Sequence, residues 1–335
     1  MSRISSIAVV LAAALLFVAA GCGDGDDEAA AGGGGDTKLS LVAYSTPREA
    51  YEEIVPAFQK TAAGAGVGFD QSYGSSGEQS RAVEAGLPAD VVEFSLAPDM
   101  DRLVEAGLVA EDWADGEHKG IVTDSVVVLA VRKGNPKDIH GWDDLLRDDV
   151  EVITPNPFTS GGARWNIVAA YGAQLEQGKS DQEAVEYLEE LFTHVPVQDK
   201  SARESLQTFS GGKGDVLIAY ENEAIFALES GEELDYVVPD QTILIENPVA
   251  VTTDAPAQAQ AFVDFLFTPT AQKIFGEKGY RPVDETVASQ FDFPTPPKLF
   301  TIDDLGGWSA VSEKFFDREQ GIMADIEQGL GVRAD

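Results

Sequence analysis

Cysteine is nearly absent, with one residue, Cys22, in a chain of 335. A lone thiol closes no intrachain disulfide and builds no cysteine-rich zinc site. Histidine is almost as scarce: His118, His140 and His194 stand far apart without ligand spacing, which argues against a histidine metal centre. No metal or other cofactor is expected. Basic residues are few, with 23 Lys and Arg against 58 Asp and Glu, a formal charge of −35 and a pI near 4.2. Nucleic acid is bound by releasing counterions to Lys and Arg, so it is an improbable partner. A basic patch that would hold an anionic bilayer is missing too.

Long apolar runs are lacking, except one near the start. Arg3 is followed by an apolar stretch from Ile7 to Ala20 and then Ala19-Ala20-Gly21-Cys22. That run is too short and wrongly flanked for a stable membrane span and reads as an export signal. Small residues directly before a lone cysteine look like a bacterial lipoprotein cleavage site, after which the Cys22 sulfur would carry the lipid. Ala19 stands where leucine is usual, and an ordinary secretory signal is the alternative. Removing residues 1–21 takes away only Arg3 as a charge and leaves the mature chain at −36. Residues 22–38 are an acidic, glycine-rich tether: DGDDEAAAGGGGD has no large apolar residue and can bury nothing.

What is present is a globular texture from Lys38 to about Leu330. Apolar residues make up 44% of the chain, enough for a packed core, and the length suggests two domains. No second linker interrupts it, so the chain should cross between two lobes more than once. Strand patterns at 38–44, 67–73, 89–94, 125–132, 151–154 and 215–220 alternate with helical spacing at 47–63, 98–106, 162–175, 181–192, 202–209, 257–267 and 269–278. This alternation predicts an α/β fold with largely parallel sheets.

Catalytic signatures are missing. Gly-Xaa-Ser-Xaa-Gly does not occur, although Tyr73-Gly74-Ser75-Ser76-Gly77 comes near it out of register; nucleotide-binding glycine loops are absent as well. What recurs is a strand, a small-residue turn with Ser or Gly, and a helix: at Ser75-Ser76-Gly77, at Thr159-Ser160-Gly161-Gly162 and near Ser201-Ala202. The first turn of a helix leaves amide N–H groups unpaired, and the macrodipole adds about half a positive charge. Three such turns converging would hold a small oxyanion without any Lys or Arg. Taken singly, each serine is better explained as a helix N-cap; three together, ahead of three helices, shift the balance toward an anion site.

Several blocks resemble the bacterial sulfate-binding proteins, the extracytoplasmic receptors of sulfate/thiosulfate ABC importers. They include Ala43-Tyr44-Ser45-Thr46-Pro47-Arg48, Gln71-Ser72-Tyr73-Gly74-Ser75-Ser76-Gly77, Val152-Ile153-Thr154-Pro155-Asn156-Pro157 running on to Ser160-Gly161-Gly162-Ala163-Arg164-Trp165-Asn166, and Gly214-Asp215-Val216-Leu217-Ile218-Ala219-Tyr220-Glu221-Asn222-Glu223-Ala224. In order, they span about residues 39–310. The resemblance implies a type II periplasmic-binding-protein fold, two α/β lobes with a hinge closing over sulfate. The lobes are expected at 39–125 with 247–335, and at 126–246. It implies a monomer that delivers sulfate to ABC permease membrane subunits, exported and lipid-anchored to the outer face of the membrane or periplasmic. It is not expected to be an enzyme.

Carried over residue by residue, the resemblance places the anion on Ser45 by its amide, Ser76 by hydroxyl and amide, Ser160, Gly161, Gly162, the amide of Ala202, and Tyr220. Tyr220 stands where the family has a tryptophan. Indole only donates, whereas a phenol donates and accepts, so thiosulfate or another tetrahedral oxyanion such as molybdate or phosphate remains an alternative. Alternatively, Tyr220 is a wall aromatic whose hydroxyl bonds a neighbouring group. Trp165 is expected in the core, Arg164 as a supporting or interlobe charge, and Asp90 and Asp215 as strand-end caps. Glu221 and Glu223 are left out of the site because carboxylates repel sulfate. An exported ester hydrolase is the reading from another class, and it lacks a base or metal beside its serine.

Overall fold

A computed structural model describes residues 37–331; the expected signal peptide, Cys22 and nearly all of the tether lie outside the described residues. Strand β1 (Lys38–Tyr44) leads into helix α1 (Arg48–Gln59), whose Ala50, Tyr51, Ile54, Val55 and Phe58 recur at helical spacing and are all buried. Strand β2 (Gly68–Gly74), helix α2 (Ser76–Glu84), strand β3 (Val91–Glu93) and helix α3 (Ala97–Glu105) repeat the alternation. The long strand β4 (Ile121–Arg132) follows, then β5 (Val152–Ile153), α4 (Gly161–Glu176), α5 (Asp181–Thr193), α6 (Ala202–Ser210), β6 (Val216–Tyr220) and α7 (Glu221–Glu229). Strand β7 (Leu234–Val237) precedes a second long strand, β8 (Gln241–Val251), then α8 (Ala257–Leu266), α9 (Pro269–Glu277), β9 (Arg281–Pro282), α10 (Glu285–Ala288), β10 (Lys298–Phe300), α11 (Gly307–Val311) and α12 (Ile322–Gly329).

The strands join in the order β2-β1-β3-β8-β4-β6-β5, with β10 on β8 and β7 and β9 on β4. The sheet is mixed rather than largely parallel. Strands β1–β2, β1–β3, β5–β6 and β8–β10 run parallel, whereas β8 and β4 run antiparallel to each other, to β3 and to β6. The reason is the two long strands, which pass between the halves of the molecule. Strand β4 pairs β8 as far as Val126 and changes to β6 from Val127, while β8 moves from β10 to β4 to β3 along its length.

Hydrophobic cores form on either side of this crossing. One joins β1, α1, α8 and α9 through Tyr51, Phe58, Phe262 and Phe275, and a satellite cluster packs Phe94, Met100 and Leu103 under α3. The other is built on α4 and α5 with Trp165, Val168, Leu188 and Phe192. The C-terminal residues Phe315, Phe316, Met323 and Ile326, expected with the first lobe, pack into this second core. No pattern in the 298–329 segment itself could assign it to a side, because packing against α4 and α5 decides that. Asp90 and Asp215 are strand ties as expected: Asp90 Oδ2 accepts from Ser40 N at 2.7 Å and Asp215 Oδ2 from Glu151 N at 3.0 Å.

Candidate functional site

The turns that follow β1, β2 and β3 and those that precede α4, α6 and α7 meet at one small cavity with about 200 Å³ of empty space. Its lining is Tyr44, Ser45, Thr46, Ser75, Ser76, Ser95, Ser160, Gly162, Ala202 and Tyr220. The enclosed cavity itself holds only about 10 Å³, far below the roughly 300–1,000 Å³ of pockets for drug-sized ligands, so it can take no more than a small ion. None of these lining residues carries a charge. Helices α2, α4, α6 and α7 all start at the cavity, so their unpaired first-turn amides and positive dipole ends converge on it. A much larger open groove lies elsewhere, rimmed by Asp112, Glu117, Asp264, Asp284 and Glu285, and its carboxylates would repel an anion.

Six of the seven site residues expected from the sequence line the cavity: Ser45, Ser76, Ser160, Gly162, Ala202 and Tyr220. Gly161 stands one step behind the wall. A Cβ there would lie 2.7 Å from Ser95 Oγ and 2.9 Å from Leu96 Cδ2, so glycine at 161 is what lets α4 approach the β3–α3 turn. At Gly162 a Cβ would face Ala202 at 3.3 Å and Tyr220 at 3.6 Å, across the cavity itself.

The hydroxyls differ in what they have left to offer. Ser76 Oγ donates to the buried Asp99 Oδ2 at 2.6 Å and accepts from Ser95 N at 3.0 Å, so its proton is taken and only its amide remains. This corrects the expectation that its hydroxyl faces the anion. Ser160 is an N-cap and more: Oγ accepts from Ala163 N at 3.3 Å, which leaves its O–H free to donate, while its own amide bonds Asn156 O at 2.9 Å. Ser201 is a side-chain cap that accepts from Glu204 N at 3.2 Å. Tyr220 is buried, and its hydroxyl lies 2.6 Å from Ser95 Oγ. Burial raises the phenol pKa far above its ordinary value, against the opposing pull of the Ser95 bond, so the hydroxyl stays neutral.

Sequence reasoning missed Ser95, Tyr44 and Thr46, and had Ser75 in an anion-holding turn without naming it as a ligand. Ser95 had a signal: it sits between β3 and the Pro98-bearing start of α3, the same strand–serine–helix order as the other turns. Trp165 is buried in the core as expected, and its Nε1 also donates to Ser95 O at 2.7 Å. Arg164 bonds Pro157 O at 3.0 Å and lies over the Phe316 ring, a supporting charge away from the cavity.

Behind the site lies a buried carboxyl. Glu93 accepts from the Tyr51 hydroxyl, and burial pushes its pKa up to about 8 against that bond. Glu93 is therefore neutral in mildly acidic solution and adds no charge beneath the cavity. Its native pKa exceeds the unfolded value of about 4.3. Its contribution to stability is present in full below that value and is lost as pH rises through about 8. Glu93→Gln is expected to flatten the fall in melting temperature between pH 5 and 8; an unchanged profile would mean that other acids carry it.

The model of the bacterial extracellular solute-binding proteins matches residues 39–281. The chain belongs to this family. It is 42% identical over 309 residues to a sulfate-binding protein of Synechococcus elongatus, covering 88% of each chain. It is 36% identical to a thiosulfate-binding protein of Pseudomonas aeruginosa over 82% of this chain and 88% of that one. Among solved structures, the sulfate-binding protein SubI of Mycobacterium tuberculosis superposes with a TM-score of 0.82 at 46% identity, covering 84% of this chain and all of the other. The resemblance read from the motifs holds, and with it the two-lobed type II periplasmic-binding-protein fold.

In this solute-binding protein Arg203 and the glutamates that open α7 are paired with one another or with Arg281. Arg203, next to Ala202, bonds Glu49 of α1 at 2.5 Å and Glu223 of α7 at 2.9 Å, and its Nη2 reaches Thr46 O at 3.3 Å. Its burial is more than offset by the two carboxylates, which raise its pKa. Glu221 is fully buried against Arg281 at 2.8 Å. Both glutamates are thus tied to arginines and neither lines the cavity. Among the described residues no His, Cys, Asp and Glu group could hold a metal, and no helix is long and apolar enough to cross a membrane.

Proposed function

We propose that this chain is the extracytoplasmic sulfate receptor of an ABC importer, held at the membrane by a lipid on Cys22. It acts as a monomer, closes its lobes over the dehydrated anion, and presents it to the permease. The observation that carries the reading is the uncharged cavity at which four helices begin. In such a site the sulfate charge is met by amide and hydroxyl dipoles, with no cation to titrate or to be displaced. The ligand set is the amides of Ser45, Ser76, Gly161, Gly162 and Ala202, the Ser160 hydroxyl and the hydroxyl contributed at Tyr220. The hinge lies at the expected boundaries, 125/126 and 246/247, within the stretch where β4 and β8 pair with each other. The names of the relatives, sulfate-binding proteins above all, support the ligand class and a binding rather than catalytic role.

Thiosulfate is the second reading, favoured by the thiosulfate-binding relative and by the phenol at 220. Titration calorimetry of the exported chain with sulfate, thiosulfate, molybdate and phosphate separates the two. Sulfate is expected to bind 1:1 and to survive EDTA; tighter thiosulfate binding, or loss with EDTA, would overturn the sulfate assignment. Ser160→Ala should weaken sulfate by roughly 1.5–3 kcal/mol, about 10- to 150-fold, with the melting temperature little changed. An affinity within twofold of the parent would mean that the hydroxyl points elsewhere.

A further inference from the structure

Two buried hydroxyls face each other in the cavity wall. Ser95 and Tyr220 are each 1% exposed, both line the cavity, and their oxygens are 2.6 Å apart. They come from opposite sides of the site, 125 positions apart in the chain, at the end of β3 and at the start of α7. We propose that the Ser95 hydroxyl is a direct ligand of the anion and that Tyr220 serves it as a positioning residue. The inference rests on the receptor reading above and puts the Ser95 hydroxyl in its ligand set in place of that of Tyr220.

The proton count leads there. Two hydroxyls in contact carry two protons, and their mutual bond uses one. The other has to leave the pair. A phenol is a far stronger acid than an alkyl alcohol, so it is the better donor, and the favoured direction is Tyr220 O–H to Ser95 Oγ. Ser95 Oγ then accepts from the phenol and has its own proton free for the cavity, strengthened by the bond it receives. Burial keeps Tyr220 protonated, so this direction is available at every ordinary pH.

Ser95 is held for the task. Its N–H donates to Ser76 Oγ at 3.0 Å, and its carbonyl accepts from Trp165 Nε1 at 2.7 Å and from Asn247 Nδ2 at 3.1 Å. Its backbone cannot shift without breaking all three. Against its side chain stands Gly161, where a Cβ would come within 2.7 Å of the hydroxyl oxygen. The diversion of the Ser76 hydroxyl to Asp99 fits the same picture, because Ser76 Oγ orients the Ser95 amide instead of the ligand.

A double-mutant cycle on sulfate affinity, read by calorimetry on the exported chain, tests this. Ser95→Ala is expected to weaken sulfate about 10- to 150-fold, the loss of one bond to a charged ligand. Tyr220→Phe should cost less, and the double variant should bind no worse than Ser95→Ala within about threefold. Such coupling is what a merely structural tyrosine would not show. Ser95→Cys, which keeps the size and offers only a weak S–H donor, should also lose affinity, and it stands in if the alanine variant folds poorly. The proposal is overturned if both Ser95 variants bind within twofold of the parent, or if the Ser95 and Tyr220 losses add. A parent that prefers thiosulfate overturns the ligand assignment alone, because the cycle can then be read with thiosulfate. A parent that binds no oxyanion overturns both.

Discussion

Gly161→Val is expected to abolish measurable sulfate binding, with a loss of at least about 100-fold, and to lower stability by roughly 1–3 kcal/mol. The first added carbon would already sit 2.7 Å from Ser95 Oγ, 2.8 Å from Ser95 Cβ and 2.9 Å from Leu96 Cδ2. Ser95 and Leu96 are buried, and Ser95 is fixed by three backbone bonds, so α4 has to retreat. Its retreat withdraws the Gly161 and Gly162 amides from the cavity. Gly162→Ala is the informative contrast. Its Cβ would meet nothing closer than 3.3 Å, so the fold should keep its melting temperature while the methyl group occupies ligand space. Calorimetry together with thermal melting reads both. Equal stability losses for the two variants would contradict the division between a packing glycine and a wall glycine.

Arg281→Ala is expected to be the largest single loss of stability, about 3–5 kcal/mol by urea denaturation. Glu221 is fully buried, and Arg281 Nε meets its Oε2 at 2.8 Å, while Arg281 Nη2 bonds Pro294 O at 2.7 Å. Removing the guanidinium leaves a carboxylate in a dry site. Burial already raises the Glu221 pKa, and without Arg281 nothing opposes it. The variant should therefore recover part of its loss at pH 5, where the acid can be protonated, and be worst at pH 8. Adding Glu221→Gln should restore stability at pH 8. A loss independent of pH would show that packing, not the uncompensated charge, is what Arg281 supplies. Because Glu221 is the first residue of α7 and follows Tyr220, sulfate affinity should fall as well.

The site was legible wherever it depends on short stretches of chain. Ser76, Ser160 and Ala202 could be placed because a helix start is written within four residues: an extended residue, a small cap, then the apolar period. Ser95 was passed over because the cap position of α3 falls on Leu96, one residue further on. The antiparallel course of β4 and β8 was not legible, since strand pairing gives no local sign of direction. Nor was the docking of 298–329 onto α4 and α5, which is settled by complementary surfaces more than 100 residues apart.

By itself the sequence determined the class of the protein: a strongly acidic α/β chain with one cysteine, whose helix starts are shaped for an anion. Those properties follow from composition and from neighbours within a turn or two of chain. Only the tertiary structure decided which hydroxyls are free. Ser76 gives its proton to Asp99, 23 residues away, Ser160 keeps its own, and Tyr220 meets Ser95 across 125 residues. A hydroxyl rotates to whatever acceptor packing brings near it, and that acceptor is chosen by the closing of long loops, which no local pattern encodes.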